Sequence, residues 1–549
     1  MPRENYNLQV KGKGRTSFSP GESLLEIARR VFPDSWEEIM SAQLDGEIVD
    51  LHTQVEKSHS KVHFFSFKHP EGRRTYIRTL IFVVTFVLEQ IFPGKRVKVL
   101  HSIGDGLSCR VEEKPNLTPE ELAQMEQKLN EIVSANRPLS KEITNWEKAI
   151  NIYQKMGRQD LVRLFRYWRT PAITLYQLDN FYDYCYGPLC PSTGYLKKFN
   201  FVLVPPNFII QFPQSSKPDQ IPPYIFQPKL FNTFQEAAHW ATIMEIEDVG
   251  ELNQAIVQRK EREIISIAEA LHEKKIAQIA DTITQKKGSV QVVTIAGPSS
   301  SGKTTFTRRL YTQLRVNGWK PITISLDDYF LSRQKLRTKA DFDYERPEAL
   351  DLNLFEQHIQ ALIEGKEVEL PRYNFTTGMR EKQGVKTQLK SEGIILVEGL
   401  HALNPKLLPH IAPEKKFKIY ISAITQINVD DHNRISTTDS RLIRRLVRDY
   451  QFRGSTPEQV FEMWPQVRAG EEKFIFPFQE EAEVMFNSSL IYELSILRDY
   501  CEPLLRGITP ENKHYLETYR LYAFLHHLLP LQPSLVPTNS ILREFIGSG

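Results

Sequence analysis

The stretch "GPSSSGKTT", Gly297 to Thr305, has the clearest chemical meaning in the chain. It fits the pattern G-x-x-x-x-G-K-[ST] in full, and it lies between an apolar run, "QVVTIA", and a stretch of helical character, "TFTRRLYTQLRV". A phosphate-binding loop requires this strand, loop and helix context. Glycines at both ends let backbone amides curl around a phosphate, and the following helix adds its positive end. The sequence therefore predicts a nucleoside triphosphate site.

Parts of this loop have distinct expected tasks. Lys303 is expected to reach the β- and γ-phosphates, and the Thr304 hydroxyl is expected to ligate Mg²⁺. The residues predicted to hold the nucleotide are Gly297, Pro298, Ser299, Ser300, Ser301, Gly302, Lys303, Thr304 and Thr305. The predicted ligands are ATP and Mg²⁺. The loop by itself leaves a kinase, a GTPase and a motor open.

Acidic residues end two further apolar runs. Asp327 and Asp328 follow "PITIS", and Glu398 closes "GIILVE". Ligands of open α/β sheets collect at the carboxyl ends of strands, where a kinase needs a carboxylate for the acceptor hydroxyl. In an extended segment adjacent side chains point to opposite sides, so we expect only one of the two aspartates to face the site. Glu398 is placed to hold Mg²⁺, and the alternative is a capped strand end.

A basic helical face follows in "DSRLIRRLVRDYQFRG". Arg441, Arg444, Arg445 and Arg448 recur at helical spacing on one side. Like charges at that spacing destabilise a bare helix, and a polyanion opposite them would relieve the repulsion. Arginine also stabilises the charge of a phosphoryl group in transfer. The alternative is a solvated basic face.

The elements that must position these residues form an alternating pattern over 289–549. Strands alternate with helices there, which predicts a mostly parallel, doubly wound α/β sheet. Together with the phosphate loop and the acids at the strand ends, this pattern predicts an α/β P-loop NTPase kinase domain. Small α+β domains are expected before it, over 1–68 and 69–215, and a helical connector over 216–288. In the first of these, Ser19 and Glu22 predict a capping box at a helix start, and Asp45-Gly46 predicts a hairpin turn.

Composition sets the remaining bounds. The 549 residues carry a net charge of only +3, so no strong overall field favours nucleic acid, although local basic patches are open. Four cysteines indicate a reducing compartment, and the apolar run Leu80 to Phe92 is shorter than the roughly 20 residues of a membrane span. We therefore expect a cytoplasmic protein that does not enter a membrane. The apolar C-terminal stretch "LVPTNSILREFIGSG" is expected to dock on the kinase region or on a second subunit, so a homo-oligomer is open.

Several segments in order resemble the uridine kinase and phosphoribulokinase family of P-loop kinases. They are "GPSSSGKTT", "SLDDYF", "DFDYERPEALD", "PRYNFTTGMR", "IILVEGL" and "RLIRRLVRD". The resemblance implies Asp327 as catalytic base, Asp343 on the ribose hydroxyls, Tyr373 and Phe375 on the nucleoside base, Arg380 closing that segment, Lys303, Arg444 and Arg448 at the transferred phosphoryl group, Arg445 on the nucleotide, and Thr304 and Glu398 at the metal. In two places the sequence departs from the family. Gly378 lies near the usual base-reading histidine, and the segment before the basic helix, "YISAITQINVDDHNRISTTD", is longer than usual.

The N-terminal half resembles other families. Residues 1–68 are similar to the TGS module, and "YDYCYGPLCPSTGYLKKF" is similar to the editing-type domain of threonyl-tRNA synthetases. That domain binds metal through H-x-x-x-H with a cysteine and another histidine. Here Cys185 remains, Leu189 replaces the histidine, and "TYIRTLIF" has none. One ligand cannot hold zinc, so the resemblance implies a scaffold that has lost deacylation.

Together these features predict an ATP- and Mg²⁺-dependent kinase, similar to multidomain bacterial nucleoside kinases, acting on the 5′-hydroxyl of a nucleoside. One alternative acceptor is the hydroxyl of another sugar or polyol. A different alternative is a nucleotide-switched regulator that binds RNA or the ribosome through its N-terminal half, which the low net charge does not support.

Overall fold

The computed structural model describes residues 6–104, 106–114, 116–332, 345–374 and 377–547. Its N-terminal region contains β1 (Tyr6–Val10), β2 (Gly14–Phe18), β3 (Glu22–Ser23), α1 (Leu24–Val31), β4 (Ile39–Leu44), β5 (Glu47–Val49), β6 (Gln54–Val55) and β7 (Lys61–Ser66). Five strands form one sheet in the order β2-β1-β7-β4-β5, with β1 and β7 parallel. Leu8, Leu24, Ile27 and Leu51 are fully buried in a core of their own.

The hairpin predicted at Asp45-Gly46 joins β4 to β5, but the predicted helix start is wrong by four residues. The capping box is built by Ser23 and Glu26, because β3 pairs with β6 and holds Glu22 and Ser23 extended. Ser19 and Glu22 still form two hydrogen bonds in the turn before the helix: the Ser19 backbone N–H donates to Glu22 Oε2 (3.0 Å), and the Glu22 N–H donates to the Ser19 carbonyl oxygen (2.9 Å).

The second region is antiparallel. It contains α2 (Pro70–Ile91), β8 (Val97–Ile103), β9 (Gly106–Val111), α3 (Pro119–Ser134), β10 (Ser140–Thr144), α4 (Trp146–Lys155), α5 (Gln159–Tyr167), β11 (Ile173–Leu178), β12 (Phe181–Tyr184), β13 (Asn200–Val204) and β14 (Asn207–Gln211). Its sheets have the orders β13-β14-β9-β8 and β10-β11-β12. The apolar run Leu80 to Phe92 lies in α2, which packs its valines and phenylalanines into the core of this region.

Three helices lead into the last region: α6 (Pro228–Met244), α7 (Val249–Val257) and α8 (Glu261–Gln285). After them come β15 (Val292–Ala296), α9 (Lys303–Val316), β16 (Lys320–Ser325), α10 (Leu352–Ile363), β17 (Glu367–Leu370), β18 (Tyr373–Asn374), β19 (Met379–Arg380), β20 (Val385–Gln388), β21 (Gly393–Glu398), β22 (Lys416–Ser422), α11 (Thr437–Arg453), α12 (Pro457–Phe474), β23 (Val484–Asn487), α13 (Glu493–Arg506), α14 (Tyr515–Leu525) and α15 (Arg543–Ile546). Short 3-10 turns lie at Trp36–Glu38, Thr193–Tyr195, Leu326–Tyr329, Pro347–Ala349, Pro413–Lys415, Phe476–Glu481 and Pro533–Leu535.

The central sheet has the order β16-β21-β15-β22-β23, and all its pairs are parallel. The inner strands β15, β21 and β22 are mostly apolar and buried, as expected for a parallel sheet covered on both faces, whereas the edge strand β16 is partly exposed. The α/β class predicted for this region is therefore correct. Because β15 is the middle strand, its carboxyl end, where the phosphate loop begins, lies between the ends of β21 and β22.

The two halves of the chain share buried contacts. Helices α4 and α5 contribute Tyr153 and Phe165 to the same apolar core as α8 and the central sheet. The long segment before α11 docks on the second region: the Arg96 guanidinium makes two bonds to the Asp431 carboxylate (2.8 and 3.0 Å), and the Val99 N–H donates to the Asp431 carbonyl oxygen (2.8 Å). In the part of the chain that the structure describes, no helix combines the length and apolar character needed to cross a membrane.

Candidate active site

The phosphate loop joins β15 to α9 in a strained conformation. Gly302 has φ +81° and Ser300 has φ +60°, both in the left-handed region. A Cβ at Gly297 would overlap the Ile421 carbonyl oxygen of β22, so only glycine fits there. The Ser300 and Ser301 hydroxyls are buried, and neither has a hydrogen-bond partner among the described residues. The loop thus forms a narrow cradle of polar groups at the start of a 14-residue helix.

Lys303 folds back over this cradle, where its ammonium group donates to the Pro298 carbonyl oxygen (3.1 Å). Burial lowers the pKa of Lys303, and the neighbouring carboxylates of Glu398, Asp327 and Glu544 act in the opposite direction. An ammonium group surrounded by carboxylates in a partly dehydrated site remains available to neutralise an incoming phosphate.

Glu398 reaches the loop from the neighbouring strand. In the parallel register β16–β21, Ser325 lies beside Glu398, and its hydroxyl donates to Glu398 Oε1 (3.0 Å). The Thr304 hydroxyl lies 3.4 Å from the same oxygen. Burial, and then the charge of Asp327, raise the pKa of Glu398 to about 7. A threonine hydroxyl and a carboxylate facing each other beside a phosphate cradle are oxygen donors that fit Mg²⁺.

The two adjacent aspartates have different surroundings. They lie in the 3-10 turn Leu326–Tyr329, and the extended backbone expected from the sequence is wrong at this point. Asp328 Oδ1 accepts the Tyr373 backbone N–H (3.0 Å), so this carboxylate holds β18 in place. Burial raises the pKa of Asp328. Asp327 lines the cleft in front of the phosphate loop. The turn, not strand alternation, separates the two side chains.

The cleft has a volume of about 1310 Å³. One wall is the phosphate loop with Asp327 and Glu398. The other walls come from Phe330 after the 3-10 turn, from β18, from the C-terminal half of α11 and from the middle of α12. Its lining residues are Ser299, Ser300, Ser301, Lys303, Thr304, Asp327, Phe330, Glu345, Tyr373, Glu398, Leu400, Arg445, Arg448, Asp449, Phe452, Arg453, Gly454, Ser455, Met463, Gln466, Val467 and Glu544.

Three arginines of α11 face this cleft around one carboxylate. Arg445, Arg448 and Arg453 lie 3.2, 2.8 and 3.6 Å from Asp449, which is buried. Arg445 also donates to the Ser299 hydroxyl of the phosphate loop (3.1 Å). Burial lowers the pKa of both Arg445 and Arg453. A group with three guanidinium ions around one carboxylate has an excess of positive charge facing the cleft.

Arg441 and Arg444 are turned into the protein, unlike the arrangement expected from their spacing. Arg441 forms a buried ion pair with Glu471. The Arg444 guanidinium is fully buried; it bonds to both carboxylate oxygens of Glu493 (3.1 and 2.6 Å) and to the Ser300 carbonyl oxygen (3.2 Å). Arg444, expected at the transferred phosphoryl group, thus supports the phosphate loop from behind, because its helical face packs on α13 and not on the cleft.

Of the other predicted site residues that the structure describes, Tyr373 lies in the cleft and Arg380 does not. Tyr373 lines the cleft and packs against Phe330, with ring centroids 5.7 Å apart. Arg380 lies on the paired strand β19, outside the cleft lining, where it donates to the Tyr329 carbonyl oxygen (2.8 Å) and pairs with Asp351 (3.2 Å). Asp343 and Phe375 lie outside the described residues.

Several cleft residues were missed by the sequence reasoning, among them Asp449, Arg453 and Glu544. Asp449 and Arg453 follow the predicted arginines at helical spacing, so the same periodicity contained their signal. Glu544 comes from the C-terminal helix α15, and its carboxylate accepts from the Thr305 backbone N–H (3.2 Å) and hydroxyl (3.1 Å). Nothing local in the sequence marks Glu544 as a neighbour of the phosphate loop.

In the second region, a cluster of buried ion pairs lies near Cys185. On α2, Glu71 is buried between Arg74 (2.9 Å) and Arg78 (2.6 Å), and Arg78 also donates to the Tyr186 carbonyl oxygen (3.3 Å). Among the described residues there is no group of three histidine, cysteine, aspartate or glutamate side chains that could hold a metal ion. Burial raises the pKa of the Cys185 thiol well above its usual value.

Comparisons with known proteins give different matches for the C-terminal and the N-terminal part of the chain. Residues 292–493 match the model of the family described as Phosphoribulokinase / Uridine kinase family. A uridine kinase of Deinococcus deserti is 29% identical over 197 residues, which are 35% of this chain and 86% of that protein. A solved structure of a protein described as a possible uridine kinase from Bacillus stearothermophilus covers 39% of this chain and 98% of its own, with 20% identity and a TM-score of 0.28.

The N-terminal region is similar to threonine–tRNA ligases. That of Pelobacter propionicus is 24% identical over 200 residues, which are 36% of this chain and 31% of the ligase. The chain therefore spans about a third of the length of these relatives.

Proposed function

We propose that the chain, whose residues 292–493 match the model of the phosphoribulokinase and uridine kinase family, transfers the terminal phosphoryl group of ATP to the 5′-hydroxyl of a nucleoside. One observation carries this proposal: Asp327 and Glu398 meet the phosphate loop in a single cleft, with Arg445 and Arg448 on another wall. A nucleotide switch needs the loop and the metal ligands, whereas a kinase also needs room and a carboxylate for an acceptor.

In this proposal each wall has a task. Lys303, the loop amides, Arg445 and Arg448 bind the phosphates and offset the charge that develops during transfer. Thr304 and Glu398 would hold Mg²⁺, which supplies positive charge against the phosphate oxygens. Asp327 orients the acceptor hydroxyl and accepts its proton. Phe330 and Tyr373 give the acceptor side an aromatic wall, which favours a base-bearing acceptor over a small polyol.

The remaining assignments are proposals of the same kind. We assign 1–68 to a TGS-like domain, 69–215 to an editing-type domain without its metal, 216–288 to a connector and 289–549 to the kinase. All four cysteines are buried free thiols, which supports a reducing, cytoplasmic location. Contact of the N-terminal half with RNA, and a homo-oligomer, stay open to test.

The deciding experiment is acceptor-dependent ADP release over a panel of nucleosides, sugars and polyols. Turnover with nucleosides supports the proposal, and turnover confined to sugars or polyols would replace the acceptor. The Asp327→Asn variant is expected to lose roughly 10²–10⁴-fold in kcat, the usual contribution of a general base, with nearly unchanged ATP binding. Near-normal turnover of that variant would remove Asp327 as the base. A tRNA mobility shift across a salt series, with no turnover of any acceptor, would favour the RNA-binding regulator.

A further inference from the structure

The C-terminal segment 540–547 lies directly against the phosphate loop. Ile541, Leu542 and Phe545 are fully buried and fix its backbone in the core beside α11 and α13. A Cβ built on Gly302 would lie 2.5 Å from the Ile541 side chain, and the Arg444 guanidinium lies 5.0 Å above the Phe545 ring. The segment that the sequence predicted to dock is thus a fixed wall of the nucleotide site.

From this wall, the Glu544 side chain extends to the start of α9. Its Oε2 atom accepts two hydrogen bonds from Thr305, one from the backbone N–H (3.2 Å) and one from the hydroxyl (3.1 Å). Thr305 is the third residue of α9, so its N–H is one of the first-turn donors that have no partner inside the helix. Phosphate loops bind nucleotide phosphates through donors of this kind.

The charges around Glu544 oppose the binding of a polyphosphate at the start of α9. Glu544 is near enough to Lys303 and Glu398 to act electrostatically on both. A third carboxylate at this cradle neutralises part of the positive charge that phosphates need. It also repels a ligand with several negative charges.

We propose that Glu544 is an internal competitor for nucleotide phosphate. In the free protein its carboxylate occupies the Thr305 donors, and a phosphate oxygen displaces it when nucleotide binds. Only the side chain has to move, because the apolar anchors hold the backbone of the segment. The inference rests on the proposed function, since it takes a phosphate-bearing nucleotide as the ligand, and it adds a residue that sets the affinity for that ligand.

The test compares Glu544→Gln with the wild-type chain in calorimetric binding of Mg·ATP, inorganic tripolyphosphate and adenosine at low salt. Glutamine keeps the shape and one acceptor oxygen but removes the charge. We expect roughly tenfold tighter binding of ATP and tripolyphosphate, because a charged acceptor bonds about twice as strongly as a neutral one. Adenosine binding should not change. Glu511→Gln is the matched control, since Glu511 is an exposed carboxylate in the same C-terminal region whose described neighbours, Thr509 and Lys61, are not part of the phosphate loop.

Three outcomes would overturn the inference: unchanged affinity for both phosphate probes, weaker binding by the variant, or an equal gain for adenosine. Weaker binding by the variant would mean that Glu544 contributes to nucleotide binding. An equal gain in affinity for adenosine would mean that the substitution had loosened the C-terminal segment 540–547. Equal melting temperatures of the variant and the wild-type chain check the fold. If neither the variant nor the wild-type chain binds any phosphate probe, the proposed function fails as well. A failure of the inference alone leaves phosphate binding by the wild-type chain intact, so the two failures are distinguishable.

Discussion

Replacement of Arg444 by methionine tests the main difference between the sequence-based site and the structure. Spacing alone groups Arg444 with Arg445 and Arg448 at the phosphates. In the structure the Arg444 side chain is fully buried and bonds to Glu493, to Ser300 and to Ser488. We therefore expect Arg444→Met to lower the stability of the fold, and to lower activity only as a consequence of that lost stability.

The size of the effect follows from the groups left behind. Without Arg444, the Glu493 carboxylate stays 2% exposed, with the Leu490 N–H (2.8 Å) as its remaining described donor. Removing one partner of a buried ion pair costs about 3–5 kcal/mol, a large share of the roughly 5–15 kcal/mol that stabilises a typical protein. The Ser300 carbonyl oxygen also loses its donor, which frees a loop residue held at φ +60°.

The assay is urea unfolding followed by tryptophan fluorescence, with nucleotide affinity measured on the folded variant. Arg444→Met/Glu493→Leu should regain most of that loss, because an apolar pair avoids the stranded charge. Arg445→Met, the neighbouring arginine at the cleft, should cost less stability than Arg444→Met, because Asp449 keeps Arg448 and Arg453 as partners, but it should weaken nucleotide binding. The reasoning is refuted if Arg444→Met leaves the unfolding midpoint within error and lowers kcat as Asp327→Asn does.

Three further substitutions test other parts of the structure. Asp328→Asn should raise KM for the acceptor more than it lowers kcat, because Asp328 holds the Tyr373 backbone; equal losses at Asp327 and Asp328 in kcat would contradict the assignment. Gly297→Ala should abolish nucleotide binding, since its Cβ overlaps a strand carbonyl oxygen, and a tolerated change measured by calorimetry would refute this. Burial, and then Asp160, raise the pKa of Asp430 to about 7, so the folded chain binds the extra proton and stability falls as pH rises from about 4 to 7. Asp430→Asn should remove that slope, which for one proton is about 1.4 kcal/mol of unfolding free energy per pH unit, in urea unfolding measured at pH 5 and pH 7.5; an unchanged slope would place the proton elsewhere.

The sequence by itself determined the parts of the protein that depend on neighbours in the chain. The phosphate loop needs glycines at two fixed positions and a lysine after the second, so an eight-residue pattern specifies it. Buried parallel strands read as continuous apolar runs, and the acidic ends of two of them identified Asp327 and Glu398. Helix periodicity correctly placed the arginines of α11 on a common helix.

Only the tertiary structure decided which of several equivalent local signals is used. Ser19 and Ser23 both precede a glutamate at capping distance, and the pairing of β3 with the distant β6 selects Ser23. Arg444 and Arg445 are adjacent and chemically identical, and packing against α13 sends one to Glu493 and the other to the cleft. Glu544 and Thr305 meet across 239 positions. Such contacts arise from the burial of apolar surface between distant segments, and a local pattern contains no information about what will cover it.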